Sequence, residues 1–157
     1  MVKWITDHEE VGHIDRVDRQ IIAALMVDGR LAVTELAKRL GMSKTPCGVR
    51  LRRLIDTRVI LGFRAVVDPA ALDLSHVAFV EVKLSDTKEA ALTAFNEAVR
   101  AIPEVEECHM IAGAFDYLLK VRSRDIQAYR RVLGEKISAL PHVAHSSTHV
   151  AMEAVKE

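Results

Sequence analysis

The chain has 157 residues, and its composition, 50% hydrophobic and 28% charged, is that of an ordinary soluble globular protein of one or two domains. No run approaches the ~20 apolar residues that a membrane-spanning helix needs, so we expect no membrane partner. Its two cysteines, Cys47 and Cys108, are single and far apart, which favours a reducing cytoplasm over a disulfide framework.

The charge is distributed unevenly along the chain, although the formal net charge is zero. Between residues 30 and 64, nine Lys and Arg side chains stand against two acidic ones, a net charge of +7. Residues 70–157 carry ten basic and thirteen acidic side chains, a net charge of −3. A basic N-terminal part followed by a mildly acidic part is typical of a nucleic-acid-binding module joined to a second module. A solvated charged surface is the alternative.

The N-terminal part begins with two short predicted helices. Asp15 is a suitable N-cap for a helix that runs to about Asp28, where "DGR" breaks it. A second helix covers residues 33–40. The poor cap Ala32 precedes it, and Gly41 ends it as a C′ glycine would.

A third predicted helix contains both a proline and a glycine. Ser43 is a good N-cap, and it places Pro46 in the first turn, where the missing N–H has no intrahelical partner to lose. Cys47 falls on the inward side with two leucines, so we interpret it as a small buried hydrophobic residue. Gly48 costs roughly 1 kcal/mol of helix propensity, and we expect it to let the helix backbone come close to a neighbour.

The second and third helices, joined by the tight turn "LGMS", predict a helix-turn-helix. In that motif the third helix enters the major groove of double-stranded DNA, N-terminal residues first, while basic groups hold phosphates. We expect Thr45, Val49 and Arg52 to approach base edges, and the other basic side chains of this helix to contact mainly phosphate. The predicted DNA-binding residues are Lys44, Thr45, Gly48, Val49, Arg50, Arg52 and Arg53.

The C-terminal part has a different pattern. "VILGFRAVVD" alternates around Gly62 and predicts a small β-wing or linking hairpin. "HVAFVEVKL" and "YLLKV" are strongly apolar, and we expect the sheet face left after the helices pack to pair two protomers. Strands are predicted at 76–84, 105–113, 115–122 and 142–152, and helices at 87–102 and 125–140. The order β-α-β-β-α-β is the ferredoxin-like arrangement, so the predicted fold class is α+β.

Four stretches carry a family resemblance: "IDRVDRQIIAALMVDGR", "LAKRLGMSKTPCGVRLRRL", "VILGF" and "ECHMIAGAFDYLLKVR". In this order they closely resemble the leucine-responsive regulatory protein/AsnC family of prokaryotic transcription regulators, over about residues 14–156. The resemblance implies a winged helix-turn-helix domain at 14–59, a linking β-hairpin at 60–74 and a ferredoxin-like effector domain at 75–157. An N-terminal extension over residues 1–13 precedes them.

The resemblance also implies a function. Such proteins are cytoplasmic, sequence-specific DNA-binding regulators of amino-acid metabolism genes that respond to an amino acid and need no further cofactor. They pair through the effector-domain sheets, and the homodimers often assemble into tetramers or octamers. The effector typically binds between effector domains near the "G-x-F-DY" turn. The predicted effector-binding residues are Met110, Ala112, Gly113, Ala114, Asp116, Thr148 and His149.

The chemistry of a zwitterion fits these residue types. Asp116 is an acceptor for the ammonium group, while the N–H groups around Gly113 and the Thr148 hydroxyl are donors for the carboxylate. Ala114 stands where relatives often carry an acidic residue, and His149 where an aromatic or aliphatic residue is common. The identity of the effector therefore cannot be carried over, and proline and leucine are both candidates.

Alternative functions stay open at this point. His109, His142, His145 and His149 suggest a metal site, although on a strand His142 would point away from the next two. Cys108 beside His109 suggests a redox pair, although strand neighbours face opposite sides. No Ser-His-Asp arrangement, P-loop or GxGxxG is present, so we expect no enzyme. Sirohaem decarboxylases nevertheless resemble this architecture, and a nucleoid-type DNA-organising protein without an effector is a further alternative.

Overall fold

The computed structural model describes residues 14–155. The chain divides after Val66 into two compact units, and the boundary falls inside the predicted linking segment 60–74. The predicted N-terminal extension, residues 1–13, lies outside the described residues. No helix within residues 14–155 is both long and apolar enough to cross a membrane.

The first unit consists of three helices, α1 (Arg16–Val27), α2 (Val33–Arg39) and α3 (Lys44–Asp56), as the sequence predicts. α1 begins with a capping box, in which Asp15 and Asp18 each accept the backbone N–H of the other. Gly41 ends α2 with φ +63°, a conformation that favours glycine. Six side chains form the buried core of the unit: Ile21, Leu25, Leu36, Ala37, Cys47 and Leu54.

Two expectations about α3 need correction. Ser43 occupies the N-cap position, but its side chain makes no capping hydrogen bond. A Cβ at Gly48 would meet only the Val33 Cγ1 atom at 3.6 Å, an ordinary van der Waals contact. The packing of this unit therefore does not require glycine at position 48. The expectation for Cys47 is confirmed, because its side chain is fully buried and burial raises the pKa of its thiol.

The second unit is a four-stranded antiparallel sheet with the strand order β2-β3-β1-β4. Its elements are β1 (His76–Leu84), α4 (Glu89–Arg100), β2 (Val105–Met110), β3 (Tyr117–Ser123), α5 (Ile126–Val132) and β4 (Val143–Val150), with a π-helical turn, Leu133–Ile137, continuing α5. Alternate residues of β1 and β3, such as Val80 and Leu119, pack with Phe95 of α4 and Tyr129 of α5 in one core. The predicted ferredoxin-like α+β fold is confirmed.

The predicted wing or linking hairpin is absent. Residues 61–68 belong to no strand, and a 3-10 helix, Pro69–Leu72, follows them. The Asp68 carboxylate accepts the Ala70 N–H at 2.9 Å, so "DP" starts a helical turn and the extended segment ends at residue 68. Gly62, with φ +157°, also interrupts the alternation.

The sheet face that the helices leave uncovered is charged, which corrects the expectation of an apolar pairing face. The apolar alternation of β1 and β3 points toward the helices. On the other face Phe79 is 38% exposed, and its cross-strand partners are Lys120 and His149. Contacts across this face include an ion pair of Glu107 with Lys120 and a 3.4 Å contact of His149 with Glu81. Any self-association through it therefore has to match charges as well as apolar surface.

Candidate DNA-reading helix and effector turn

One side of α3 is exposed and carries the residues predicted to approach bases. Thr45, Val49 and Arg52 recur at helical spacing, and the Val49 side chain is 65% exposed. Together with Gly48 and Val33 they line an open groove on the surface of the first unit. Within the described chain, neither Lys44 nor Arg52 takes part in an ion pair. These side chains combine a hydroxyl, an apolar surface and a cation, the groups that read base edges in the major groove.

Two arginines of α3 that we predicted to contact phosphate form ion pairs with carboxylates of the same unit. The Arg50 Nη1 atom lies 2.6 Å from Asp15 Oδ2 and 3.0 Å from Asp18 Oδ1. The Arg53 Nη2 atom donates to the other oxygen of Asp18. We call these four residues, Asp15, Asp18, Arg50 and Arg53, the acid–arginine cluster. It ties α3 to the start of α1, so Arg50 and Arg53 have a structural role besides any contact with phosphate.

The electrostatics of the acid–arginine cluster favour the charged forms. Burial opposes ionisation of Asp18, whose residue is 0% exposed, but hydrogen bonds from Arg53, the Asp15 N–H and Arg50 outweigh burial and lower its pKa. The N–H of Asp18 and the Arg50 guanidinium lower the pKa of Asp15 to about 2. At neutral pH the cluster therefore holds two carboxylates and two guanidiniums, with no net charge.

The predicted effector turn joins β2 to β3. Ala112, Gly113 and Ala114 are exposed, and the Ile111 N–H closes the turn by donating to the Asp116 carbonyl at 2.8 Å. The Asp116 carboxylate already accepts the Leu84 N–H at 2.8 Å and Lys83 Nζ at 3.0 Å, and the first of these bonds contributes most to its lowered pKa. Asp116 thus fastens the turn to the end of β1, and each of its oxygens accepts one hydrogen bond and keeps capacity for a second.

The last two predicted effector residues face opposite sides of the sheet. Thr148 pairs with Val80 and bonds its hydroxyl to Tyr129 in the helix-covered layer. His149 pairs with Phe79 on the open face. Met110, 57% exposed, lies at the end of β2 beside the turn. The seven predicted residues therefore form no single site within one protomer, and the Thr148 hydroxyl already has a hydrogen-bond partner in Tyr129.

The positions of the described histidines and cysteines do not support a metal or redox site. No group of three or more His, Cys, Asp and Glu side chains within residues 14–155 is arranged to hold a metal ion. His109 lies 3.3 Å from Glu107 on the open face. Its neighbour Cys108 packs against the core on the other face, where burial raises the pKa of the thiol and so disfavours the reactive thiolate.

Both units match known protein families. Residues 14–55 match the AsnC-type helix-turn-helix domain, and residues 77–157 match the Lrp/AsnC ligand binding domain. The chain belongs to the Lrp/AsnC family. It is a DNA-binding transcription regulator.

Individual members of the Lrp/AsnC family cover nearly the whole chain. The proline dehydrogenase transcriptional activator of Rhizobium radiobacter is 64% identical over 144 residues, 92% of each chain. The leucine-responsive regulatory protein of Escherichia coli is 45% identical over 92% of this chain and 88% of its own. A transcriptional regulator from Neisseria meningitidis, solved in complex with L-Met, superposes with a TM-score of 0.86 at 28% identity, over 92% of this chain and 94% of its own.

Sequence reasoning about this Lrp/AsnC regulator missed the acidic half of the acid–arginine cluster. A signal for it was present, because Asp18 shares helical spacing with Ile21 and Leu25, which are buried. A carboxylate on an apolar helix stripe requires a buried cationic partner. The arginines of α3 were among the candidates for that partner.

Proposed function

We propose that this Lrp/AsnC regulator reads its operator with the exposed side of α3. Thr45, Val49 and Arg52 contact base edges, Lys44 contacts phosphate, and Gly48 lets the helix backbone approach the duplex. The observation that carries the proposal is that Arg52 and Lys44 have no ion-pair partner within residues 14–155, beside an exposed Val49 and Thr45. Family membership as a helix-turn-helix regulator supports it.

Arg52→Ala tests the reading face. The variant is expected to lose about 1–3 kcal/mol of operator affinity and to relax specificity at one base pair, because a bidentate arginine–guanine contact contributes that much discrimination. Operator binding is measured by fluorescence anisotropy against single-base variants of the site. Arg130→Ala removes the same charge from an exposed position on α5 and should bind like the wild type. Wild-type binding by Arg52→Ala would refute the proposed role of this helix face.

We further propose that an amino acid regulates DNA binding from the turn between β2 and β3. Ala112, Gly113 and Ala114 offer exposed backbone and small apolar side chains, and Met110 adds a flexible apolar wall. Because Thr148 and His149 face opposite sides of the sheet, a complete site needs groups from a second protomer. The regulator therefore acts as a homo-oligomer, a dimer assembling into tetramers or octamers. Proline is the first candidate effector, by similarity to relatives named as proline dehydrogenase activators, and leucine and methionine follow.

A thermal-shift screen of the twenty amino acids tests the effector proposal. A ligand that binds only the folded protein stabilises it by about 2.7 kcal/mol at a hundredfold excess over its Kd, so the effector should raise Tm by several degrees. The same amino acid should change operator binding. Ala112→Glu, which adds a charged side chain to the exposed turn, should abolish the shift. If no amino acid alters Tm or DNA binding, the regulator works without such an effector, as a nucleoid-type protein would.

A further inference from the structure

The basic side chains of α3 fall into two classes. Lys44 and Arg52 have no ion-pair partner among residues 14–155, whereas Arg50 and Arg53 are bound to the carboxylates of α1. Asp18 is fully buried and divides its two oxygens between the two guanidiniums. A buried carboxylate held in this way fixes the direction of both arginine side chains toward α1.

The acid–arginine cluster borders the proposed DNA-reading face. A shallow groove is lined by Asp15, Arg50 and Arg53 together with Thr45 and Val49. The side chain of Asp15 is 40% exposed there, and that of Arg50 33%. A negative charge at this margin weakens attraction to phosphate, and a guanidinium that already pairs with it releases few counterions from DNA on binding.

We propose that Asp15 and Asp18 are positioning residues that limit sequence-independent DNA affinity by holding Arg50 and Arg53 away from the phosphate backbone. Non-specific affinity comes almost entirely from phosphate contacts, while specificity comes from the base-reading side chains. By neutralising two of the arginines, the cluster keeps affinity for arbitrary DNA low without affecting Arg52. The inference rests on the proposed function, in which α3 contacts DNA.

Asp15→Asn is the sharpest test, because asparagine caps a helix as well as aspartate does and can still accept the Asp18 N–H. The change gives the cluster a charge of +1. For a random-sequence duplex, the slope of log affinity against log salt should be steeper than that of the wild type by about 0.9 per protomer. Between 200 and 50 mM salt the variant should therefore gain roughly 3.5-fold more affinity than the wild type gains. Circular dichroism and thermal denaturation verify that the variant is folded.

The double variant Asp15→Asn/Arg50→Gln restores zero charge in the cluster and should return to the wild-type salt slope. If Arg50 contacts phosphate in the wild type, the salt slope of the double variant should instead be about 0.9 shallower than that of the wild type. That result would overturn the proposal. Glu97→Gln makes the same charge change at an exposed position on α4 and should leave the slope unaltered. The proposal is also overturned if Glu97→Gln steepens the salt slope as much as Asp15→Asn does, or if Asp15→Asn does not steepen it.

Arg52→Ala, measured on the same duplexes, separates this inference from the proposed function. If Arg52→Ala has no effect on operator binding, α3 is not the reading helix and the proposed function fails. If Arg52→Ala weakens operator binding while Asp15→Asn leaves the slope unchanged, only the inference about the acid–arginine cluster fails.

Discussion

Replacing Asp18 by alanine is expected to destabilise the first unit by about 3 kcal/mol. Removing one partner of a buried ion pair usually costs 3–5 kcal/mol, and the lower end applies because the side chains of Arg50 and Arg53 are 33% and 40% exposed and can turn toward water. The variant also loses half of the α1 capping box. Urea denaturation, followed by hydrogen exchange of the amides in α1 and α3, measures the loss.

The lowered pKa of Asp18 determines how the stability lost in Asp18→Ala depends on pH. The folded pKa of Asp18 lies below its ordinary value of 3.8, so its charge stabilises the unit above that pH, and the contribution is lost as the pH falls through the folded pKa. The stability difference between wild type and Asp18→Ala should therefore be constant near neutrality and shrink below about pH 4. Asp56→Ala, an exposed position at the end of α3, should change stability by less than about 0.5 kcal/mol. A loss as small as this in Asp18→Ala would contradict the prediction.

Much of the fold could be predicted because apolar periodicity and end signals agree along this chain. Asp15, Gly41 and the prolines mark helix ends, and strand β1 has the predicted bounds. The hairpin prediction was wrong because residues 61–68 alternate but pair with no strand in this protomer, and alternation alone does not reveal whether a strand has a partner. Ser43 illustrates a different limit, since it has the residue type and position of a cap without the hydrogen bond.

The candidate sites were predicted less completely, because residue type does not reveal which groups are already paired. Arg50 and Arg53 look like phosphate contacts in the sequence, yet their partners come from a helix more than thirty residues earlier. Asp116 has the chemistry for an ammonium, yet its carboxylate also accepts the Leu84 N–H and fastens the turn, a structural role that residue type does not reveal. The opposition of Thr148 and His149 follows from strand alternation and was predictable.

Phe95→Ala is expected to destabilise the second unit by about 3–5 kcal/mol. Phe95 is 0% exposed on α4, and its ring centroid lies 4.3 Å from that of Tyr117, which directly follows the effector turn. Truncation removes the apolar contacts and the aromatic pair and leaves a cavity against β3. Urea denaturation monitored by hydrogen exchange of β1 and β3 measures the loss.

Phe95→Leu separates the cavity from the aromatic contact. Leucine restores most of the volume, so we expect it to recover more than half of the stability lost in the alanine variant. Because Tyr117 adjoins Asp116, the alanine variant should also loosen the turn and reduce the thermal shift given by the effector, whereas Phe95→Leu should keep most of it. Full stability in Phe95→Ala would mean that the core of the second unit does not depend on this ring. A normal effector shift in a destabilised Phe95→Ala would place the ligand away from the turn that Tyr117 supports.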